Sequence, residues 1–259
     1  MKLKEIEKIL DNKLQSEIAE SWDNVGLLIG DKNREVESVL LTLELTDKVF
    51  EEALAKKCDM ILAHHPLIFS GVKRIVSEND DNLIYRLIEK GIPFYAAHTN
   101  FDAIHRGLND YFAEIMDANH IEVHSENEQA EEFLRIFDIE PQPLAEFVEK
   151  IKNKLHLKAI RLIGARERIA KVGVVTGAGG DYAELAHRLG ADAFITGDIK
   201  YHQAMDFKAR GICVIDVGHF ETEQIFAQAM KSFIQNEIPE LKSIRLEVAE
   251  SEESPFVWM

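Results

Sequence analysis

The sequence predicts an α/β fold, and three observations carry that prediction. Short apolar runs alternate with longer amphipathic stretches along the whole chain. Strand-like runs end in polar or glycine-bearing loops that lead into helix-like stretches. The same succession of strand, loop and helix occurs on both sides of a polar zone, HIEVHSENEQAE at 120–131. There is no exact repeat, so two related lobes are one reading of this pattern and duplication is not required by it.

The elements follow in order. The opening MKLKEIEKILDNKL is charged and amphipathic, with no long apolar core, and so is unlike a secretory signal. Trp22, Asp23 and Asn24 read as a turn before the strand-like VGLLIG. SVLLTLELT at 38–46 is the first clear strand, followed by a helix from Asp47 to about Lys57 with Asp47 as its cap. DMILA at 59–63 is a short strand running directly into HHP. A polar loop holds SENDD at 77–81, and a helix near 82–90 stops at Gly91. PFYAA at 93–97 leads into HTNFD, and 107–118 reads as a helix. The polar zone at 120–131 is expected to carry the domain crossing. Beyond it come a helix at 144–155, strands at 159–164 and 169–177, and a helix at 181–189 ending at Gly190. A strand at 192–197 precedes DIKYH and a helix to Ala209, which Gly211 caps. The strand 212–218 leads into HFETE and a helix at 221–236, and 243–249 is a last strand.

Bulk properties narrow the function classes. A chain of 259 residues suits one large domain or two compact ones, and 46% apolar with 29% charged residues is ordinary globular composition. No apolar run approaches the roughly 20 residues that span a bilayer. With the absence of a signal, this favours the cytoplasm and no membrane partner. The formal charge of −16 comes with dispersed lysines and arginines, so the overall field does not suggest nucleic-acid binding. Cys58 and Cys213 each edge an apolar run without C-x-x-C spacing, and are expected to be buried thiols.

The chemistry-bearing residues share an address. Ligands of open α/β sheets bind beyond the carboxyl ends of the strands. Three strands end there in metal-capable groups: His64 and His65 after 59–63, His98 and then Asp102 after 93–97, His219 and then Glu223 after 212–218. A helix beginning near His219 would put His219 and Glu223 one turn apart on one face. Pro66 holds His65 extended and stiffens the His-His pair. A lone histidine beside a strand is usually a hydrogen-bonded structural residue; the shared placement of three such features argues for metal. His64, His65, Asp102, His219 and Glu223 exceed one four-coordinate site and suit two ions about 3.5–4 Å apart with a bridging carboxylate. Mixed nitrogen and oxygen donors fit zinc, manganese, iron or nickel better than calcium or magnesium. His98 is open to roles as ligand, support or proton shuttle. Asp198 and His202 in TGDIKYH form either a substrate-facing acid/base pair or a helix cap. TGAGGD at 176–181 is either a phosphate cradle or a tight turn. His105, His120, His124, His156 and His187 lie in polar surroundings and read as surface residues.

With SWDNVGLLIG at 21–30, HHPLIF at 64–69, HTNFD at 98–102, TGDIKYH at 196–202 and GHFETE at 218–223, the chain resembles the GTP cyclohydrolase 1 type 2 family, also called the NIF-three-like family, nearly end to end. That resemblance implies two similar three-layer α/β lobes with mixed sheets, the second inserted in the first. On this sequence the lobes would be 1–125 plus 229–259, and 126–228. It implies a dinuclear centre with His64, His65, Asp102, His219 and Glu223 as ligands of two divalent ions and Glu223 as the bridge. It also implies a homohexamer. The leading expectation is a metal-dependent hydrolase acting on a nucleotide or related small molecule, with His98 and His202 as proton-transfer residues. The alternative is a metal-binding structural, interaction or regulatory protein that does not turn over GTP.

Overall fold

The computed structural model describes residues 1–78, 82–125 and 132–257. The end of the expected polar loop, 79–81, and the second half of the expected crossing, 126–131, lie outside the described residues. The chain divides into two compact units: Met1–Ile104 with Phe226–Glu253, and His105–Ile225 with Ser254–Met259.

The first unit begins with α1 (Leu3–Lys13), β1 (Gly26–Ile29), β2 (Ser38–Thr42), α2 (Asp47–Ala55), β3 (Met60–Ala63), α3 (Leu83–Lys90), β4 (Phe94–Ala96) and α4 (Thr99–Ala103). The second carries α5 (Leu108–Ile115), β5 (Asn119–His124), β6 (Leu134–Pro143), α6 (Leu144–Leu155), β7 (Arg161–Ile163), β8 (Arg168–Val174), α7 (Ala183–Arg188), β9 (Ala193–Thr196), α8 (Tyr201–Ala209), β10 (Val214–Asp216) and α9 (His219–Glu223). The chain then returns to the first unit as α10 (Phe226–Glu237) and β11 (Arg245–Val248).

Both sheets are mixed. In the first, the strand order is β1-β4-β3-β2-β11, with only β1 antiparallel to its neighbour. The register sets Ala63 beside both Thr42 and Ala96, so the residues after β3 and β4 leave the sheet at one edge. β3 is buried at every position, as expected of a parallel strand covered on both faces. Its core joins Val49, Phe50, Ile61, Leu87 and Phe94. In the second sheet the order is β5-β6-β8-β9-β10-β7, with β8, β9 and β10 parallel. α6 lays Leu144, Phe147, Ile151 and Leu155 as one stripe onto the core with Phe112, Phe137, Val172 and Ile195.

Several elements differ from the sequence expectation, each for a local reason. α2 is capped by Thr46, whose side chain accepts from the Val49 amide at 3.3 Å, while Asp47 takes an ion pair from Arg86 at 2.8 Å. β6 was not expected: Pro141 and Pro143 obscure it, Pro141 falling where its pairing with β8 shifts register, between Asp138 and Gln142, and Pro143 being its last residue. The polar zone opens with β5, whose residues are mostly exposed because it is an edge strand. The expected helix 221–236 is two helices, α9 and α10. Contacts divide the chain at 104/105 and 225/226, where the sequence suggested 125/126 and 228/229. α5 accounts for the first shift, since Phe112, Ala113 and Met116 pack into the second unit's core. The tail from Ser254 also goes with the second unit, where Ser254 Oγ donates to Glu221 at 3.1 Å. Cys58 and Cys213 are buried thiols in different units, and burial pushes both up, Cys213 to about 11. No helix among the described residues is long and apolar enough to cross a membrane.

Candidate metal centre

In the first unit, the edge formed by the ends of β3 and β4 gathers three imidazoles. The backbone fixes the approach: the His64 amide donates to Thr42 O, the His65 amide to Leu43 O, and the Ala97 amide to Ala63 O. The rings of His64, His65 and His98 lie 5.0 to 5.5 Å apart by centroid, and a nitrogen from each falls within 4.8 Å of the others. His64 is wholly buried, with the Phe226 ring 4.7 Å away. Asp102, on the first turn of α4, places Oδ1 3.6 Å from His64 Nε2.

Each ring is oriented through Nδ1. His64 Nδ1 meets Ala97 O at 2.8 Å, His65 Nδ1 meets Glu44 Oε2 at 2.7 Å, and His98 Nδ1 meets Asp23 Oδ1 at 2.9 Å. Ala97 O can only accept, so Nδ1 of His64 carries the proton and the neutral ring keeps its lone pair on Nε2. Asp23 also accepts from the Thr99 amide at 3.1 Å and the Thr99 hydroxyl at 2.6 Å. Burial alone would raise the Asp23 carboxyl, but the hydrogen bonds from His98 and Thr99 outweigh it and hold it down at about 2.

In the second unit, α9 begins at His219 itself, and one helical turn brings His219 Nε2 to 3.1 Å from Glu223 Oε2. His219 Nδ1 meets Asp198 Oδ2 at 2.9 Å. The hydrogen bond to Glu223, opposed by burial and reinforced by Asp198, lifts the imidazole to about 9. Glu223 is buried. The glycine loop lies over this pair: a Cβ on Gly177 would sit 2.2 Å from Glu223 Oε1 and 3.4 Å from His219 Nε2. The Gly177 amide donates to Thr222 Oγ1 at 2.9 Å, tying the loop to α9. TGAGGD therefore serves close approach to Glu223. Asp198 does not cap α8, whose N-cap is Lys200; it sits at φ 57° and turns its carboxylate to His219. His202 is exposed on the first turn of α8, its ring 5.3 Å from that of Tyr201.

Thus His64, His65, His98 and Asp102 come together in one unit, and His219 and Glu223 in the other. Sequence reasoning missed Glu44, Asp23 and, in its actual role, Asp198. Nothing in the spacing links Glu44 to His65 or Asp23 to His98, because strand register and a turn bring them together. The donor set suits a borderline divalent ion: imidazole nitrogens of fixed orientation beside buried carboxylates.

A family model described as Duf34/NIF3 (NGG1p interacting factor 3) matches residues 1–255. The chain belongs to the Duf34/NIF3 family. A Clostridium perfringens relative described as a GTP cyclohydrolase 1 type 2 homolog is 36% identical over 231 residues, covering 86% of this chain and 87% of that protein. A Campylobacter jejuni relative of the same description is 34% identical over 244 residues, covering 91% and 93%. Among solved structures, a Staphylococcus aureus hypothetical protein superposes with TM-score 0.91 at 29% identity, over 100% of this chain and 99% of that one. A Bacillus cereus protein related to NIF3 superposes with TM-score 0.88 at 22% identity, over 100% and 99%, which bears on the fold alone. The α/β architecture with two mixed sheets, shared with the Staphylococcus aureus structure, is thus that of a Duf34/NIF3 family member.

Proposed function

We propose that this family member is a dinuclear metal-binding protein acting as a metal-dependent hydrolase on a nucleotide or related small molecule. His64, His65, Asp102, His219 and Glu223 would hold two divalent ions of zinc, manganese, iron or nickel, with Glu223 as bridge. One observation carries the reading. Every histidine of the set has its Nδ1 on an oxygen acceptor, the arrangement by which metal-binding imidazoles are oriented and made basic. Support for a nucleotide comes from relatives described as GTP cyclohydrolase 1 type 2 homologs.

Bound ions of this kind supply an activated water and polarise the bond it attacks. The protein's own residues do the rest. His98, partly buried, moves a proton at Nε2 while Asp23 steadies the ring through Nδ1. Because Asp23 stays ionised down to about pH 2, that support persists wherever an imidazole titrates. His202, at the surface of α8, is the second proton-transfer candidate. A cytoplasmic homohexamer completes the proposal.

The test is metal-defined protein offered GTP and a panel of nucleotides and phosphodiesters. Turnover that depends on metal and disappears in Glu223→Ala, with circular dichroism unchanged, supports the hydrolase. No turnover with any of the four metals sinks it. Elemental analysis showing one ion per chain at saturation sinks the dinuclear assignment, and native mass spectrometry reads the assembly.

A further inference from the structure

Trp22 and Phe69 lie beside the imidazole cluster of the first unit and remain 55% and 56% exposed. Single exposed apolar side chains are common and need no function. These two are different because they form a pair, with ring centroids 5.8 Å apart, and because the pair adjoins chemistry. The Trp22 and His98 rings meet nearly at right angles, at 75°, with centroids 6.0 Å apart. His98 is in turn 5.0 Å from His64 and 5.5 Å from His65.

The backbone carrying the pair is fixed. Trp22 precedes Asp23, whose carboxylate is held by His98 and Thr99. The Asp23 amide donates to Glu20 O at 2.8 Å, and the Glu20 amide to Thr99 Oγ1 at 3.0 Å. The next residue, Asn24, donates its side-chain amide to Ile68 O at 2.5 Å, and Ile68 precedes Phe69. One hydrogen-bonded staple therefore anchors both aromatic residues while leaving each more than half exposed. Exposed rings on anchored backbone lose little entropy when a flat partner lies against them.

We propose that Trp22 and Phe69, whose planes are inclined by 41°, form an aromatic corner that stacks a planar heteroaromatic ring on one face and flanks it with the other, the ring being the nucleobase of the substrate. Stacking on exposed aromatic faces is the usual way proteins grip a base without reading its identity. This inference rests on the nucleotide reading above for its class of ligand, and names the part of the substrate that the first unit grips.

The protein has two tryptophans, so replacing Trp258 by Phe leaves Trp22 as the sole reporter. The Trp258→Phe protein, stripped of metal by a chelator, is titrated with guanosine, adenosine, their monophosphates and ribose 5-phosphate. Its Trp22 emission is followed with inner-filter correction. The base-bearing compounds quench saturably, and ribose 5-phosphate at equal concentration does not. Phe69→Ala raises the dissociation constants about ten-fold, Phe69→Tyr restores them, and Val76→Ala, at another exposed apolar position, leaves them unchanged. Equal quenching by ribose 5-phosphate overturns the proposal, as does an unchanged constant in Phe69→Ala. Emission that follows protein concentration and ignores nucleosides, as self-association would produce, also overturns it. Because the readout needs no metal, failure of the aromatic corner and failure of the metal centre are separate results.

Discussion

The two units place metal-capable groups at the carboxyl ends of parallel strands, but they hold them by different means. The first unit offers mainly imidazoles, and orients them with groups from distant parts of its sequence: Glu44 from the loop after β2, Asp23 from the turn before β1, Ala97 O from the end of β4. The second offers one imidazole and a buried carboxylate, and holds them by backbone proximity. Gly177 passes over Glu223, and a Cβ on Gly197 would lie 2.5 Å from the backbone of both Gly218 and His219. The first unit is thus tuned mainly by side chains, which substitution can remove singly. The second has one such side chain, Asp198 on His219, and adds glycines packed so closely that one more atom disturbs it.

That contrast is broken most sharply by Gly177→Ala. The added methyl would overlap Glu223 Oε1, and φ of +65° disfavours any Cβ by about 1 kcal/mol or more. Glu223 must turn away. If it bridges two ions, Gly177→Ala loses at least one ion per chain in elemental analysis while thermal unfolding stays cooperative. Retention of both ions would mean that Glu223 does not hold them.

Side-chain orientation predicts a smaller loss. Glu44→Gln and Asp198→Asn each remove a carboxylate from a histidine Nδ1 without changing volume. Each should weaken metal binding about 10- to 100-fold in competition with a chromophoric chelator. His64 is the internal reference, since its acceptor is a backbone carbonyl that no substitution deletes. Equal affinity in all three proteins would reduce these hydrogen bonds to simple surface contacts.

The legibility of the site follows the same division. His64, His65, Asp102, His219 and Glu223 stand out as candidates because each follows a strand end closely, where sequence spacing and spatial position coincide. The His219–Glu223 pair depended on a helix starting at His219, and α9 starts there. Glu44 and Asp23 were not readable, because their partners are 21 and 75 residues away. In the fold, strongly periodic elements such as α6 were found at their limits, whereas β6 was hidden by Pro141, which sits in its irregular pairing, and Pro143, at its end. The assignment of α5 to the second unit was hidden too, because helix amphipathicity says that a face is buried and not against which sheet.

The smallest effect concerns how the first unit closes its sheet with a strand from far along the chain. β11 pairs with β2, and the residues after it are held by Glu52 of α2, which accepts from the Glu250 amide at 2.9 Å and the Ser251 amide at 2.9 Å. Beyond them Glu252 accepts from Thr42 Oγ1 and the Leu43 amide, in the loop that carries Glu44. Burial would raise the Glu52 carboxyl, but hydrogen bonds from Lys56, Ser251 and the two amides bring it down to about 2. A carboxyl depressed in the folded state contributes stability that is complete above its unfolded value of 4.5 and fades as pH falls through its folded value of about 2. Amide exchange at Glu250 and Ser251 should therefore lose protection across that window, with strands β3 and β4 unaffected. Glu52→Gln, whose amide does not ionise there, should start with weaker protection and show a flatter pH dependence. The same slope in the variant would assign the effect to another carboxylate and leave Glu52 a passive neighbour of the returning strand.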